Sequence, residues 1–159
     1  MSVAFRRESD EEHLEPKFEL PLPPGANLVT ARGRAMISAK VAELDAALAA
    51  AADDDPAREV VKRDLRYWRA RESTAKIAPE PTGETVAFGT RVTYTLAGAT
   101  RTIAIVGSDE ADPATDRITF TAPLARAMMG LSVGDYADFN GQVDAIEIIE
   151  ISTIEHSGR

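Results

Sequence analysis

Apolar residues recur every three or four positions in the middle of the chain and every second position further on, so two kinds of structure are predicted. Ile37, Val41, Leu44, Leu48 and Ala51 are spaced 4, 3, 4 and 3 apart, which lines them along one face of a helix over residues 30–52. Thr30 stands before that run as an N-cap. Asp55 followed by Pro56 is a second helix-start signal, with proline at the first helical position. Beyond it Ala57, Val61, Leu65, Trp68 and Ala75 form another apolar seam, interrupted at Glu72. Two helices joined by so few residues run antiparallel, because only then do the seams bury each other. Arms of about 22 residues are about 33 Å long at the helical rise.

The seams are graded. Near the base they carry Ile37, Val41, Leu65 and Trp68, and near the tip little but alanine. Alanine combines the best helix propensity with the least bulk, so the tip stays helical and thin. It also buries little apolar area, which makes the tip the least stable part of the hairpin. Trp68, on the seam near the base, reads as core. The joint carries Asp53, Asp54 and Asp55. Capping and the helix dipole account for one or two of these acids. Three adjacent carboxylates repel one another, so a counter-charge or ion at the tip would relieve them.

Alternation takes over after residue 87. "FGTRVTYTLAG" and "RTIAIVG" flank Gly98 as a strand hairpin, "DRITF" is a short strand, and "GDYADF" and "QVDAIEIIEIS" form a closing pair. "APLARAMMG" is a short helix opened by Pro123 and closed by Gly130. The expected fold class is α+β: a helical hairpin over 28–78, then a small antiparallel sheet with one short helix over 88–154. "PEPTGETVA", residues 79–87, reads as a linker. Residues 1–27 read as an extended or disordered tail, with Pro21, Pro23 and Pro24 among charges, and Leu14, Phe18, Leu20 and Leu22 as the tail's docking residues if it meets a partner. Residues 155–159 are a second tail.

Charge sharpens this division. The net charge is −8, yet residues 30–78 carry 10 basic and 8 acidic side chains while residues 79–159 carry 5 and 12. The middle is the only net-positive region, and the acidic remainder argues against general nucleic-acid binding. Arg58, Lys62, Arg66 and Arg69 fall on one stripe of the second helix. There is no cysteine, hence no disulfide and no thiolate metal site. The start "MSVAFRRESDEEHLEP" lacks the apolar run of a signal peptide, and no segment approaches the roughly 20 apolar residues of a membrane span. A cytoplasmic protein without membrane contact is expected. His13 and His156 lie near the termini and suggest neither a catalytic pair nor a metal cluster.

One stretch carries a resemblance. Val106-Gly107, Asp109-Glu110-Ala111-Asp112, Ile118, Ala122-Pro123-Leu124-Ala125-Arg126-Ala127, Gly130 and Val133-Gly134-Asp135 stand in the order and spacing of the bacterial Gre transcript-cleavage factors. "NLVTARGRAMI" resembles that family's opening of the first coiled-coil helix, with Ala31 and Arg32 in place of Pro and Glu, and "KRDLRYWRARESTAKI" resembles its returning helix. The resemblance covers about residues 28–152. It implies an FKBP-like C-terminal domain, an N-terminal antiparallel coiled coil and RNA polymerase as partner. By that resemblance the hairpin would enter the secondary channel, and the globular domain would sit at the rim through Asp109, Glu110, Asp112, Thr121 and Pro123.

In cleavage-stimulating members, acids at the hairpin tip help hold the second catalytic Mg²⁺, which prefers hard oxygen ligands. Asp53, Asp54 and Asp55 occupy that place here, with no catalytic residue and no stably bound metal of the protein's own. The family's Gly-Asp-x-Ser-Glu-Asn-Ala-Glu-Tyr tip is absent and the hairpin is shorter, so a non-cleaving modulator is the alternative. The Arg58, Lys62, Arg66 and Arg69 stripe is then either a solvated, self-paired face or a contact for polymerase or for nucleic acid in the elongation complex. A monomer is expected. Two further readings are a peptidyl-prolyl isomerase or chaperone, suggested by the fold alone, and a DNA-binding module using the basic helix.

Overall fold

The computed structural model describes residues 19–154. The two outer tails, with His13, Leu14, Phe18 and His156, lie outside the described residues. The chain divides into two compact units. One comprises the described residues 19–24 and Ile37–Thr74; the other comprises Gly25–Met36 and the described residues from Ala75 onward.

The first unit is the helical hairpin. Helix α1 runs Ala31–Ala50, its opening residues being grouped with the second unit, and helix α2 runs Ala57–Thr74. At 20 and 18 residues they are about 30 and 27 Å long. Val41, Leu44 and Leu65 are its buried cluster, with Leu48, Val61 and Trp68 packed against them. The pairing is antiparallel: Asp45 of α1 meets Arg69 of α2, and Leu48 meets Arg58 nearer the tip. Towards the tip Ala47, Ala49 and Ala50 are exposed, as their small size allows. The seam of α2 departs from expectation at its base, where Arg71 is buried and Ala75 lies beyond the helix.

The second unit is a five-stranded sheet with one short helix. Its strands are β3 (Thr90–Leu96), β4 (Ala99–Val106), β5 (Arg117–Thr119), β6 (Tyr136–Phe139) and β7 (Gln142–Thr153), in the order β5-β4-β3-β7-β6. Three neighbouring pairs are antiparallel, but β4 and β5 are parallel, so the sheet is mixed where an antiparallel one was expected. The reason is the excursion over 107–116, which returns the chain in its original direction and includes a 3₁₀ turn at Pro113–Thr115. Helix α3, Pro123–Met128, lays Ala125 and Met128 on a core of Val92, Tyr94, Ile103, Ile105, Ile146 and Ile148.

Two short strands complete this unit. Leu28–Val29 (β1) pairs in parallel with Lys76–Ile77 (β2). Residue 27, expected in the tail, is therefore structured: Asn27 is buried and its carbonyl accepts from Lys76 N–H at 2.9 Å. Nor is 79–87 a simple linker. Val86 is buried in the core, donating to Leu131 O at 2.8 Å and accepting from Gly130 N–H at 2.8 Å.

Candidate functional site

The hairpin tip is closed by polar side chains, since its alanines have little to bury. Asp55 Oδ1 accepts from Ala57 N–H at 2.9 Å, which is the capping role of an acid before a helix. From α2, Arg58 Nη1 donates to Leu48 O at 3.1 Å and Ala51 O at 3.3 Å. A helix end leaves such carbonyls without an intrahelical donor, and a cation there also suits the dipole. Asp53 and Asp54 are exposed. Among the described residues no three Asp, Glu or His side chains converge in a way that could hold a metal ion.

The basic stripe is largely self-paired. Besides Arg58, Lys62 lies 3.5 Å from Glu59, Arg66 forms a two-toothed pair with Glu19 at 2.7 Å per bond, and Arg69 pairs with Asp45. Two of those acids lie on other segments, so the pairing is not confined to one helix as the stripe suggested. Exposed ion pairs of this kind contribute little to stability, because solvent screens them. The Arg66 guanidinium holds the Glu19 carboxyl below its usual range, chiefly through these hydrogen bonds.

The acidic loop after β4 sorts its members differently. Asp112 Oδ1 accepts from Ala114 N–H at 3.1 Å and so caps the 3₁₀ turn. Thr121 and Pro123 are exposed, and the hydroxyls of Ser108, Thr119 and Thr121 form a chain with steps of 3.3 and 3.1 Å. Asp109 is half-buried.

Glu110 corrects the expected docking set, because its side chain is turned inward and only 3% exposed. Its Oε1 accepts from the Thr30 hydroxyl at 2.6 Å, and its Oε2 accepts from Arg32 Nη1 at 2.7 Å. Thr30 Oγ1 in turn accepts from Gly33 N–H at 2.9 Å, so the expected N-cap of α1 is itself held by Glu110. Two glycines permit this approach. A Cβ at Gly33 would lie 2.7 Å from Glu110 Oε1, and one at Gly107 would lie 2.3 Å from Leu28 O. The contact spans 78–80 positions, beyond the reach of any local spacing rule.

Comparison with known proteins adds a family. Residues 80–155 match the family described as "Transcription elongation factor, GreA/GreB, C-term". The transcription elongation factor GreA of Maricaulis maris (strain MCS10) is 38% identical over 74 residues, 44% of this chain and 47% of that protein. GreA of Lactococcus lactis subsp. cremoris (strain MG1363) is 39% identical over 80 residues, 49% of this chain and 48% of that protein. The chain spans about half the length of the curated relatives it matches. Among solved structures, a prokaryotic transcription elongation factor GreA/GreB from Nitrosomonas europaea aligns with 81% of this chain and 99% of its own, at 18% identity and a TM-score of 0.39. GreA factor homolog 1 of Thermus thermophilus covers 80% and 99%, at 18% identity and a TM-score of 0.36. At such scores these structures carry no weight for the site.

Proposed function

We infer that this protein is a Gre-like factor that regulates elongation by binding RNA polymerase, a reading supported by the match of residues 80–155 to the GreA/GreB C-terminal family. The hairpin is the part that enters the secondary channel. Two helices closed by an alanine-rich, polar-clamped turn are slender, and they carry carboxylates at their point. Exposed Asp112 in the loop after β4, and exposed Thr121 and Pro123 between β5 and the start of α3, form the contact at the rim, together with Asp109. The protein acts as an accessory factor, and any cleavage of RNA uses the polymerase's own active site.

Of the three tip acids, Asp55 is committed to the backbone of α2, which leaves Asp53 and Asp54 to face a partner. The tip does not fit a resident Mg²⁺, since three of its ligating groups do not converge and that ion requires near-octahedral oxygens. The isomerase reading finds little support. Tyr94 is buried and Phe120 and Phe139 pack on the core, so few aromatics remain to line a proline pocket.

The observation that carries this reading is the family match over the sheet unit. Mixing the full chain with stalled, backtracked elongation complexes tests it. Co-migration with polymerase and a changed pattern of RNA lengths are expected, with the change in RNA lost in the Asp53→Ala, Asp54→Ala double variant while binding persists. A chain that shows no affinity for polymerase sinks the proposal.

A further inference from the structure

The sheet unit contains a cleft of about 610 Å³ to which the elongation reading assigns no role. Its floor follows from strand register. Arg91 of β3 lies opposite Ala104 of β4, and Ala104 lies opposite Arg117 of β5. Residues directly opposite across a sheet project to the same face. Val92, Ile103 and Ile105 point to the core on the other face, so Arg91, Ala104 and Arg117 form a row on the reverse side. Two strand spacings put the arginine backbones about 10 Å apart. The residue between them is alanine, whose methyl leaves room that a larger side chain would fill.

A third arginine, Arg32, lines the same cleft, as do Ile77 and Pro79. Arg32 commits Nη1 to Glu110, and Arg117 commits Nη1 to the Thr115 hydroxyl at 2.7 Å. Arg91 is not without a partner either, but a guanidinium has five N–H donors in a planar fork, so an arginine with one partner retains others. Of the two carboxylates on the walls, Glu110 already accepts from Thr30 and Arg32, which leaves Glu80 as the other. Three guanidinium groups against two carboxylates leave this cleft net positive in a chain whose net charge is −8. Arginine forks match phosphate oxygens two at a time. The remaining wall is apolar: Ile77 is 50% exposed and Phe88 half-buried.

We propose that this cleft binds a phosphate-bearing small molecule of the nucleotide class, its phosphates among Arg32, Arg91 and Arg117 and its base against Phe88 and the Ile77–Pro79 wall. The volume lies within the range of small-molecule sites, roughly 300–1,000 Å³. Several guanidinium groups at separate points suit a ligand with more than one anionic group, and the apolar wall suits a planar body beside them.

Calorimetric titration of the full chain at low salt tests this, with ATP, GTP, tripolyphosphate, adenosine and a glutamate-rich peptide as probes. Saturable binding of a nucleoside triphosphate is expected, weakened at least about tenfold by Arg117→Gln and by Arg91→Gln and by added salt. Arg126→Gln, on α3 outside the cleft, should leave it unchanged. Arg117 lies on the edge strand, so Arg117→Gln decides the matter if Arg91→Gln disturbs folding, and a circular dichroism melt verifies that each variant is folded. Absence of binding, or affinity undiminished in Arg117→Gln, overturns the site. Tripolyphosphate binding as tightly as ATP overturns the role of the apolar wall, and binding of the peptide alone overturns the ligand class. Because polymerase is absent from the titration, its outcome is independent of the elongation reading.

Discussion

The two acidic runs, Asp53-Asp54-Asp55 at the hairpin tip and Asp109-Glu110-Ala111-Asp112 after β4, are alike in composition and unlike in use. Each spends its last aspartate on a backbone N–H: Asp55 on α2, Asp112 on the 3₁₀ turn. They part at the middle residue. Asp54 is exposed to water, while Glu110 is buried against the first turn of α1. A buried carboxylate is tolerated only when partners replace the lost water. Glu110 has a hydroxyl and a guanidinium at hydrogen-bond distance, admitted by glycine at 33 and 107. An acidic run thus becomes either a display or a clasp according to what backbone can approach it.

The largest effect that can break this contrast is loss of the clasp. Glu110→Ala removes the acceptor of a buried charged contact and leaves Thr30 and Arg32 without it, so a loss of about 2–3 kcal/mol is expected in urea denaturation. Arg32 is half-exposed and recovers water, which keeps the loss below that of a fully buried pair. A change under about 0.5 kcal/mol, the range of ordinary surface substitutions, would show that Glu110 is a bystander. A smaller effect separates the tip acids from one another. Asp55→Ala should lower hairpin stability by about 1 kcal/mol, the usual worth of a cap. Asp53→Ala and Asp54→Ala should stay within about 0.5 kcal/mol. Equal losses at all three positions in thermal unfolding would remove the distinction between cap and display.

The hairpin was legible because its evidence is local. Spacings of three and four mark a face, Thr30 and Asp55-Pro56 mark the starts, and the structure places both helices within a residue or two of those marks. The β3–β4 and β6–β7 hairpins were legible for the same reason, their turns falling at Gly98 and Asn140-Gly141. What escaped depends on distant partners. Alternation says which face of a strand is buried but not which strand lies beside it, so the parallel β4–β5 and β1–β2 pairs carried no signal. Val86 sits among prolines and glycine that read as a linker, and its burial is decided by Gly130 and Leu131. The inward turn of Glu110 was hidden likewise, since an acidic run looks solvated until the segment that covers it is known.

Glu19 sharpens the contrast with the smallest effect, because it is a third kind of carboxylate, paired yet exposed. Its two hydrogen bonds from Arg66 favour the charged form and lower its pKa from the ordinary 4.5. A group whose folded pKa is lowered contributes stability above its unfolded pKa and loses that contribution as pH falls through the folded value. The pair therefore supports the fold at neutral pH; that support declines as pH falls below the ordinary 4.5 and is gone once pH has passed the lowered value at which folded Glu19 takes up its proton. NMR titration of the Glu19 carboxyl should give a midpoint below that of an unpaired glutamate, rising to the ordinary value in Arg66→Gln and shifting upward with added salt as the ion pair is screened. A midpoint unmoved by Arg66→Gln would mean that water, not the guanidinium, is the working partner of Glu19. In that case enclosure by backbone, as at Glu110, would be the condition for a carboxylate in this protein to hold a fixed partner.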